Sequence, residues 1–335
     1  MCVHVGASGG WQTVGRQSPR GHRLWTTRPG PWTAVCATAP GGPIVPGMPI
    51  TVSLPELFLG SDAVAAGLLT PDQLRGPGVR RLFRNLYAPA CVRVTHELRS
   101  RGATRILPAD AVVTGRSAAC VRGVQLAYPD DPVEIVAPLA RRLVRRSGID
   151  LRRTEVEPDE SVPWAWGRLA TPLRMALDLL LDRPLPKAVA DLDAVVRAGA
   201  VDLAEVAALV RARSDRGIVA ARRAVALADP RAEVPPESEV RVWLMLAGLE
   251  PVPQYWVEDA SGRIARVDLA FPAQRVAVEY DGQWRDGQLW ALNHDRSRLN
   301  RVHAAGWEVV FVTAPLLARP ARMVAEVEGV LRSRS

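Results

Sequence analysis

The sequence predicts an α/β fold of the α+β type, in which a mostly helical region precedes a C-terminal unit of strands and helices. Three patterns indicate this class. Side chains alternate in two short runs, 266–271 and 275–281, as they do in paired strands. Apolar residues recur at helical spacing between 171 and 228. From residue 231 onward both patterns occur in turn, which predicts a separate mixed unit.

The overall composition is that of a folded, basic protein. With 335 residues, of which 48% are hydrophobic, the chain is long enough for two or three domains with buried cores. No apolar run reaches the roughly 18 residues that a membrane helix needs, so we expect a cytoplasmic protein without membrane contacts. The net charge is +8, and Lys187 is the only lysine. Because arginine binds phosphate well, DNA is the expected partner; a basic protein without nucleic-acid binding is the alternative.

The N-terminal stretch 1–47 differs from the rest of the chain. It is dense in Gly, Pro, Ser and Thr, shows neither helical nor strand periodicity, and contains four arginines but no acidic residue. Such a composition is typical of disorder because it offers little apolar surface to bury. We therefore predict a disordered extension at 1–47 and expect translation to start at Met48.

Residues 48–95 predict a winged helix-turn-helix unit. Short helices are expected at 54–59 and 62–66, and the run 79–88 alternates like a hairpin with projecting arginines. Helices followed by a basic hairpin are typical of DNA-binding winged helices, although an ordinary small helical domain fits the same pattern. The arginines that would contact nucleic acid are Arg80, Arg81 and Arg84.

Residues 96–230 predict a mixed, mostly helical middle domain. No set of side chains in it has the pattern of a catalytic site, and its helix carboxylates are expected to face solvent. These carboxylates are Asp178, Asp191 and Asp193. Helices are predicted at 109–121, 171–181, 186–198, 203–213 and 217–228, and strands at 133–137 and 151–156. A Pro-rich stretch at 229–236 predicts a linker.

The last unit, 231–335, contains acidic residues in apolar strands. Its predicted order is a helix, three strands, a helix, a strand and a final helix: 237–247, 252–258, 266–271, 275–281, 289–304, 307–313 and 322–331. Pairing of the second and third strands through the turn at Pro272 would bring Asp268 close to Glu279. Carboxylates inside an apolar strand are costly without compensation, so we predict a divalent cation beside them.

Five short motifs in this unit carry a resemblance to a known family. They are P-E-S-E-V-R at 236–241, A-G-L-E-P at 247–251, R-V-D-L-A-F-P at 266–272, V-A-V-E-Y-D-G at 276–282 and A-G-W-E-V-V-F-V-T at 305–313. With the element order, they resemble the PD-(D/E)XK nuclease superfamily, and within it the Vsr-like group related to very-short-patch repair endonucleases. The resemblance implies a restriction-endonuclease-like mixed sheet flanked by helices. The upstream region resembles winged-helix proteins of the AbiEi antitoxin type.

The resemblance implies a metal-dependent DNA endonuclease. Asp268 and Glu279 would bind Mg²⁺ or Mn²⁺, because these hard ions prefer carboxylate oxygens. The ion would polarise the phosphate and acidify bound water. Glu237 and Asp281 would complete the catalytic residues, with Glu239 as the alternative to Glu237 if the helix register differs.

Two departures from the superfamily pattern keep a second function open. The superfamily has lysine where this chain has Asp281, and the Vsr-like group has a histidine soon after the glycine, whereas the next histidine here is His294. Arg296 and Arg298, on the same predicted helix, are candidate phosphate ligands or solvated side chains. The chain is therefore either an endonuclease in repair or defence, or a non-catalytic DNA-binding regulator or antitoxin-like protein with a degenerate nuclease fold. A protein partner or a homodimer is compatible with both.

Overall fold

A computed structural model of the chain describes residues 53–140, 144–181, 183–260, 262–282 and 289–335, with the backbone alone for 289–296. The predicted extension at 1–47 and the expected start at Met48 therefore lie outside the described residues, as do the side chains of His294 and Arg296. Within the described ranges, no helix combines the length and the apolar composition needed to cross a bilayer.

The chain divides into two units that interleave along the sequence. The first combines the described residues up to Val112 with Tyr128–Glu155 and Pro163–Arg168. The second combines Val113–Ala127, Val156–Val162 and Leu169–Ser335. The division into 48–95, 96–230 and 231–335 stays a prediction.

The first unit begins with a three-stranded antiparallel sheet. Its elements are β1 (Phe58–Leu59), α1 (Gly60–Ala65), β2 (Val79–Phe83) and β3 (Leu86–Pro89), with the strand order β1-β3-β2. The predicted basic hairpin is therefore confirmed. The predicted helix at 54–59 is wrong, since Phe58 and Leu59 pair with β3 and the Phe58 side chain is buried there. Thr70 and Gln73 bond reciprocally, as in a capping box, but they open a 3-10 turn instead of an α-helix.

The middle of the chain contains more strands than its sequence predicts. It forms α2 (His96–Ile106), β4 (Val112–Val113), α3 (Gly115–Val121), β5 (Val133–Ala137), β6 (Ile149–Arg153), β7 (Ser161–Trp164) and β8 (Gly167–Ala170). The five strands form one sheet in the order β6-β5-β4-β8-β7, and β5 pairs with β6 in parallel. The predicted helix at 109–121 is wrong in its first half, because the two β-branched residues of β4 are fully buried as a strand.

The helices that follow are predicted to within about two residues at their ends. They are α4 (Pro172–Leu180), α5 (Leu185–Arg197), α6 (Leu203–Ala212) and α7 (Ile218–Leu227). Two of them begin at side-chain caps, which satisfy backbone N–H groups that a helix leaves unpaired. The Thr171 hydroxyl accepts from the Arg174 N–H at 3.4 Å, and the Asp202 carboxylate accepts from the Ala204 N–H at 2.7 Å.

The carboxylates expected on the surface of these helices are buried, which corrects the sequence-based interpretation. Asp178, Asp191 and Asp193 expose 6%, 3% and 2% of their surface. Each lies beside arginine: Arg174 for Asp178, Arg241 for Asp193, and both Arg116 and Arg183 for Asp191. Burial is tolerated because a nearby guanidinium compensates the charge. Two of these pairs, Arg116–Asp191 and Arg241–Asp193, join distant parts of the sequence, so helical periodicity gave no sign of them.

The C-terminal part of the second unit has the predicted element order, with one short helix added. It contains α8 (Pro235–Leu246), β9 (Val252–Asp259), β10 (Gly262–Phe271), β11 (Val276–Asp281), α9 (Leu289–Ala304), β12 (Glu308–Thr313), α10 (Ala314–Leu317) and α11 (Pro320–Ser333). The sheet order is β12-β11-β10-β9. Strand β10 runs antiparallel to both β9 and β11, and β12 runs parallel to β11. The sheet is therefore mixed and flanked by helices. Gly248, in the left-handed region at φ 84°, ends α8.

Strand β11 buries side chains on both faces of this sheet. Val276 and Val278 belong to a core shared with α8 and α11, whereas Ala277 belongs to a second core that includes Val302 of α9 and Trp307. Because side chains alternate along a strand, Glu279 continues the face of Ala277. The carboxylate thus lies on the side of α9, in a layer that is otherwise apolar.

Candidate functional site

Asp268 and Glu279 lie on adjacent strands of the C-terminal sheet. Leu269 pairs with Val278, so continuing the antiparallel register by one residue sets Asp268 opposite Glu279. The backbone N–H of Tyr280 donates to Asp268 Oδ2 at 2.8 Å, which holds the carboxylate against β11. The structure therefore brings together the two residues that the sequence predicts as metal ligands.

Glu237 reaches the same place from the first turn of α8. It exposes only 7% of its surface and accepts hydrogen bonds on Oε2 from the Glu233 N–H at 2.7 Å and from Gln254 Nε2 at 3.0 Å. Burial, followed by repulsion from Asp268, raises the pKa of Glu237 to about 7. The alternative, Glu239, lies near other groups: burial raises its pKa, and the charges of Lys187 and Arg116 oppose that rise. The helix register thus selects Glu237.

Asp268 is held in an environment that disfavours its charge. Burial raises the pKa of Asp268 to about 6, and repulsion from Glu279 and Glu233 acts in the same direction. The Tyr280 N–H and the charge of Arg298 oppose the rise but do not cancel it. The charge of Asp268 thus raises the pKa of Glu237, and the charge of Glu279 raises that of Asp268, so a bound cation would relieve the repulsion at both carboxyl groups.

Glu279 already has a cationic partner. Arg298 of α9 donates from Nη1 to Oε1 and from Nη2 to Oε2, both at 2.8 Å, in a bidentate pair. Glu279 exposes 8% of its surface. Arg298, predicted as a phosphate ligand, is thus engaged with a carboxylate of the site itself. Asp281 ends β11 two residues later, is half-buried, and pairs with Thr313 across the sheet.

Gln254 is a site residue that the sequence interpretation missed. It lies within β9 and has φ 54°, in the left-handed region that non-glycine residues rarely adopt. The pairing of Pro253 with Leu269 and of Tyr255 with Val267 sets it opposite Asp268, and its amide donates to Glu237 at 3.0 Å. Such strain is found where a side chain must be aimed. The backbone angle, the strand register and the contact with Glu237 all belong to the folded chain, so no sequence pattern pointed to this role.

The donor set at this site fits a hard cation. Carboxylate oxygens are the ligands that Mg²⁺ and Mn²⁺ prefer. Asp268 and Glu279 supply them, with Glu237 beside Asp268, and one guanidinium is in contact with Glu279. Among the residues whose side chains are described, no three of the His, Cys, Asp or Glu type are already arranged to hold a metal ion. Binding would therefore need the carboxylates to draw together around the ion.

Three of the arginines predicted to contact nucleic acid lie on the hairpin of the first unit. Arg80, Arg81 and Arg84 are exposed. A groove of about 640 Å³ runs between the tip of this hairpin and the segment 144–147. Its basic lining residues are Arg81, Arg84, Arg145 and Arg146, and none of the described lining residues is acidic. Arg145 and Arg146 were not singled out from the sequence, because only the fold sets them opposite the hairpin.

We expect Glu237→Gln to become more stable relative to the wild type as the pH rises from about 5 to 8. Since the pKa of Glu237 is raised, the folded protein keeps a proton that the unfolded chain has released, so stability falls as the pH rises through about 7. For a carboxyl buried this deeply, the difference at high pH is of order 2 kcal/mol. His96, whose burial lowers its pKa, acts in the opposite direction. Comparison with the variant therefore isolates Glu237.

Urea unfolding of both proteins across this pH range measures the difference. Glu326→Gln is the control, because Glu326 is exposed and pairs only with its helix neighbour Arg322. If the free energies of unfolding of Glu237→Gln and the wild type changed with pH in the same way, the raised pKa of Glu237 would be contradicted.

Comparisons with known proteins identify relatives whose names state no activity. No protein-family model matches the chain. Two curated relatives are the "Uncharacterized protein Rv2248" of Mycobacterium tuberculosis strain ATCC 25618 / H37Rv and the "Uncharacterized protein MT2308" of strain CDC 1551 / Oshkosh. Each is 36% identical over 167 residues, or 48% of this chain. The chain spans 61% of the length of each relative, about three fifths.

One solved structure is also similar. The crystal structure of the RV2827C protein from Mycobacterium tuberculosis matches with a TM-score of 0.35 and 18% identity, over 61% of this chain and 84% of that chain. A similarity at this level carries no conclusion about fold or function.

Proposed function

We propose that the chain is a metal-dependent DNA endonuclease that hydrolyses phosphodiester bonds, with its site in a restriction-endonuclease-like domain at 231–335. The observation that supports this most is the convergence of three carboxyl groups, from α8, β10 and β11, at a place where burial and mutual repulsion raise the pKa values of Glu237 and Asp268. Repulsion between buried carboxylates destabilises a fold, whereas a cation bound between them would compensate it. A role in repair or defence, in the cytoplasm, fits the resemblance to Vsr-like proteins.

Each residue has a role in this proposal. Asp268 and Glu279 would hold Mg²⁺ or Mn²⁺, which supplies charge neutralisation at the phosphate and a more acidic bound water. Glu237, with a pKa of about 7, can accept or release a proton near neutral pH. Gln254 and the Glu233 N–H fix its orientation. Asp281, on the face of β11 that carries Glu279, would orient the attacking water.

Conversion of supercoiled plasmid to nicked DNA tests the proposal. The purified protein is incubated with Mg²⁺ or Mn²⁺, and with EDTA as the metal-free reference. We expect nicking that needs the metal, that is lost in Asp268→Ala, and that is kept in Glu258→Gln, an exposed acid paired with Arg263. Equal background nicking by the wild type and Asp268→Ala would end the enzyme proposal.

The basic groove of the first unit favours a second candidate, a DNA-binding regulator or antitoxin-like protein that needs no catalysis. Arg81 and Arg84 line one side, Arg145 and Arg146 the other, and all four are exposed. Val144 beside them exposes 82% of its surface. Exposed arginines along an open groove complement a phosphate backbone, which carries closely spaced negative charges.

The double variant Arg84→Ala/Arg145→Ala should weaken binding to duplex DNA across all sequences and lower the salt dependence. Each lost phosphate contact should reduce the slope of log K against log salt by about 1. Fluorescence anisotropy with a labelled duplex at several salt concentrations measures this. Arg75→Ala is the control, because Arg75 is exposed but paired with Asp72. Unchanged affinity and slope in the double variant would rule out this groove, and binding that also survives Asp268→Ala would favour the regulator over the enzyme.

A further inference from the structure

The pair between Arg298 and Glu279 occupies the carboxylate at the centre of the proposed metal site. Both oxygens of Glu279 accept from Arg298, each at 2.8 Å. The side chains of Arg298 and Glu279 expose 21% and 10% of their surface, so little of the pair faces water. A guanidinium that bonds both oxygens of a carboxylate leaves few directions from which another ligand can approach those oxygens.

The charge balance explains why a guanidinium lies there. Without a cation, the hydrogen bonds that Glu237 and Asp268 accept come from neutral groups, the Glu233 N–H, the Gln254 amide and the Tyr280 N–H. The charge of Arg298 also reaches Asp268, because it opposes the rise of the Asp268 pKa. In the metal-free protein, Arg298 therefore supplies the positive charge that the cluster needs.

We propose that Arg298 is the resting counter-ion of this carboxylate cluster and that it competes directly with a divalent cation for Glu279. A metal ion on Glu279 would face a guanidinium within hydrogen-bonding distance of the same oxygens, and the two positive charges repel. Metal binding therefore requires the Arg298 guanidinium to leave Glu279. The inference rests on the proposed metal site, and it adds that the affinity of this site is set by a residue that is not a ligand.

The same helix offers a matched control. Arg301 lies one turn beyond Arg298, and its Nη2 is 3.4 Å from Asp259 Oδ2. The side chain of Arg301 exposes 49% of its surface. Asp259 is the last residue of β9, five positions after Gln254, the residue of that strand that contacts the carboxylate cluster. Replacing Arg301 with glutamine changes the net charge by the same amount as replacing Arg298 with glutamine. It does not uncover a carboxylate of the site.

Mn²⁺ binding, measured by calorimetry and by the EPR signal of free Mn²⁺, tests the competition without any assay of activity. At about pH 8, where groups with pKa values near 6 and 7 are ionised, the wild type is compared with Arg298→Gln, Arg298→Lys and Arg301→Gln. Arg298→Gln should bind Mn²⁺ at least about tenfold more tightly, the factor expected when one charge-assisted pair no longer has to be broken. Arg298→Lys should be intermediate, and Arg301→Gln should equal the wild type.

A second measurement distinguishes a variant that fails to fold from a competition that does not exist. Thermal melting with and without Mn²⁺ should show that Arg298→Gln is less stable than the wild type in EDTA but gains more from the metal. Equal or weaker Mn²⁺ binding by Arg298→Gln, with Arg298→Lys folded and also no tighter than the wild type, would overturn the competition while leaving the metal site intact. No Mn²⁺ binding by any of the four folded proteins would overturn the metal site itself, and the proposed function with it.

Discussion

Replacing Asp268 with asparagine should lower metal-dependent nicking by about a hundredfold or more, because the site loses one of two anionic ligands and part of the charge that holds the ion. The side chain keeps its size, and its amide oxygen can still accept from the Tyr280 N–H that bonds Asp268 Oδ2 at 2.8 Å. The local structure should therefore survive the change. The loss would then reflect charge and not shape.

The same variant should be at least as stable as the wild type in metal-free buffer at about pH 8. Burial and the repulsion from Glu279 and Glu233 raise the pKa of Asp268 to about 6, so its ionised form costs stability at high pH. The neutral amide avoids this cost, which is of order 1 kcal/mol. Few residues that only support the fold behave in this way, since their loss normally destabilises.

Plasmid nicking and thermal melting of the same preparation measure both effects. The control is Glu258→Gln, which removes an exposed acid of β9 paired with Arg263. A fall in activity accompanied by a lower melting temperature would indicate damage to the fold. Full activity in Asp268→Asn would remove Asp268 from the site.

Arg174→Met should be the most destabilising single change among the buried ion pairs discussed, at about 3 to 5 kcal/mol. Arg174 exposes 2% of its surface, and its Nε lies 2.9 Å from Asp178 Oδ2 while its Nη1 lies 2.6 Å from Glu160 Oε2. Methionine fills much of the volume but leaves both carboxylates without this partner. Asp178 then keeps the Thr114 hydroxyl at 2.5 Å, and Glu160 keeps Arg213.

Urea unfolding followed by circular dichroism measures this loss. Arg332→Ala is the control, because Arg332 pairs with Glu328 on the surface of α11, where such pairs contribute less than about 1 kcal/mol. A loss below about 1 kcal/mol in Arg174→Met would mean that water or another arginine compensates the two carboxylates, and the network would then be less central to the second unit than its burial indicates.

Local chemistry made many of the elements predictable. Thr171 followed by proline begins α4, and the alternation around Pro272 predicts the hairpin of β10 and β11. These signals act over a few residues, so they can be recognised in the sequence alone. The helix α2 was missed, because it contains Gly102 and several charged residues that weaken helical periodicity.

Packing explains why a glycine lies in α2. A Cβ built on Gly102 would meet Leu86 Cδ2 at 2.6 Å, so the helix can approach the hairpin strand β3 this closely only without a side chain at that position. Leu98 and Ala103 of the same helix are buried. Tertiary contact thus overrides the weak intrinsic preference of the segment for a helix.

The sequence by itself determined the class of fold, most of the C-terminal elements, and the meeting of Asp268 with Glu279 across one hairpin. These depend on alternation, turn chemistry and caps, which are properties of neighbouring residues. Only the tertiary structure decided which carboxylates are buried and what compensates them: Arg241 reaches Asp193 from 48 positions away, and Arg298 reaches Glu279 from 19. A buried charge is stable only beside a partner, and which side chain becomes that partner depends on how the helices and strands pack.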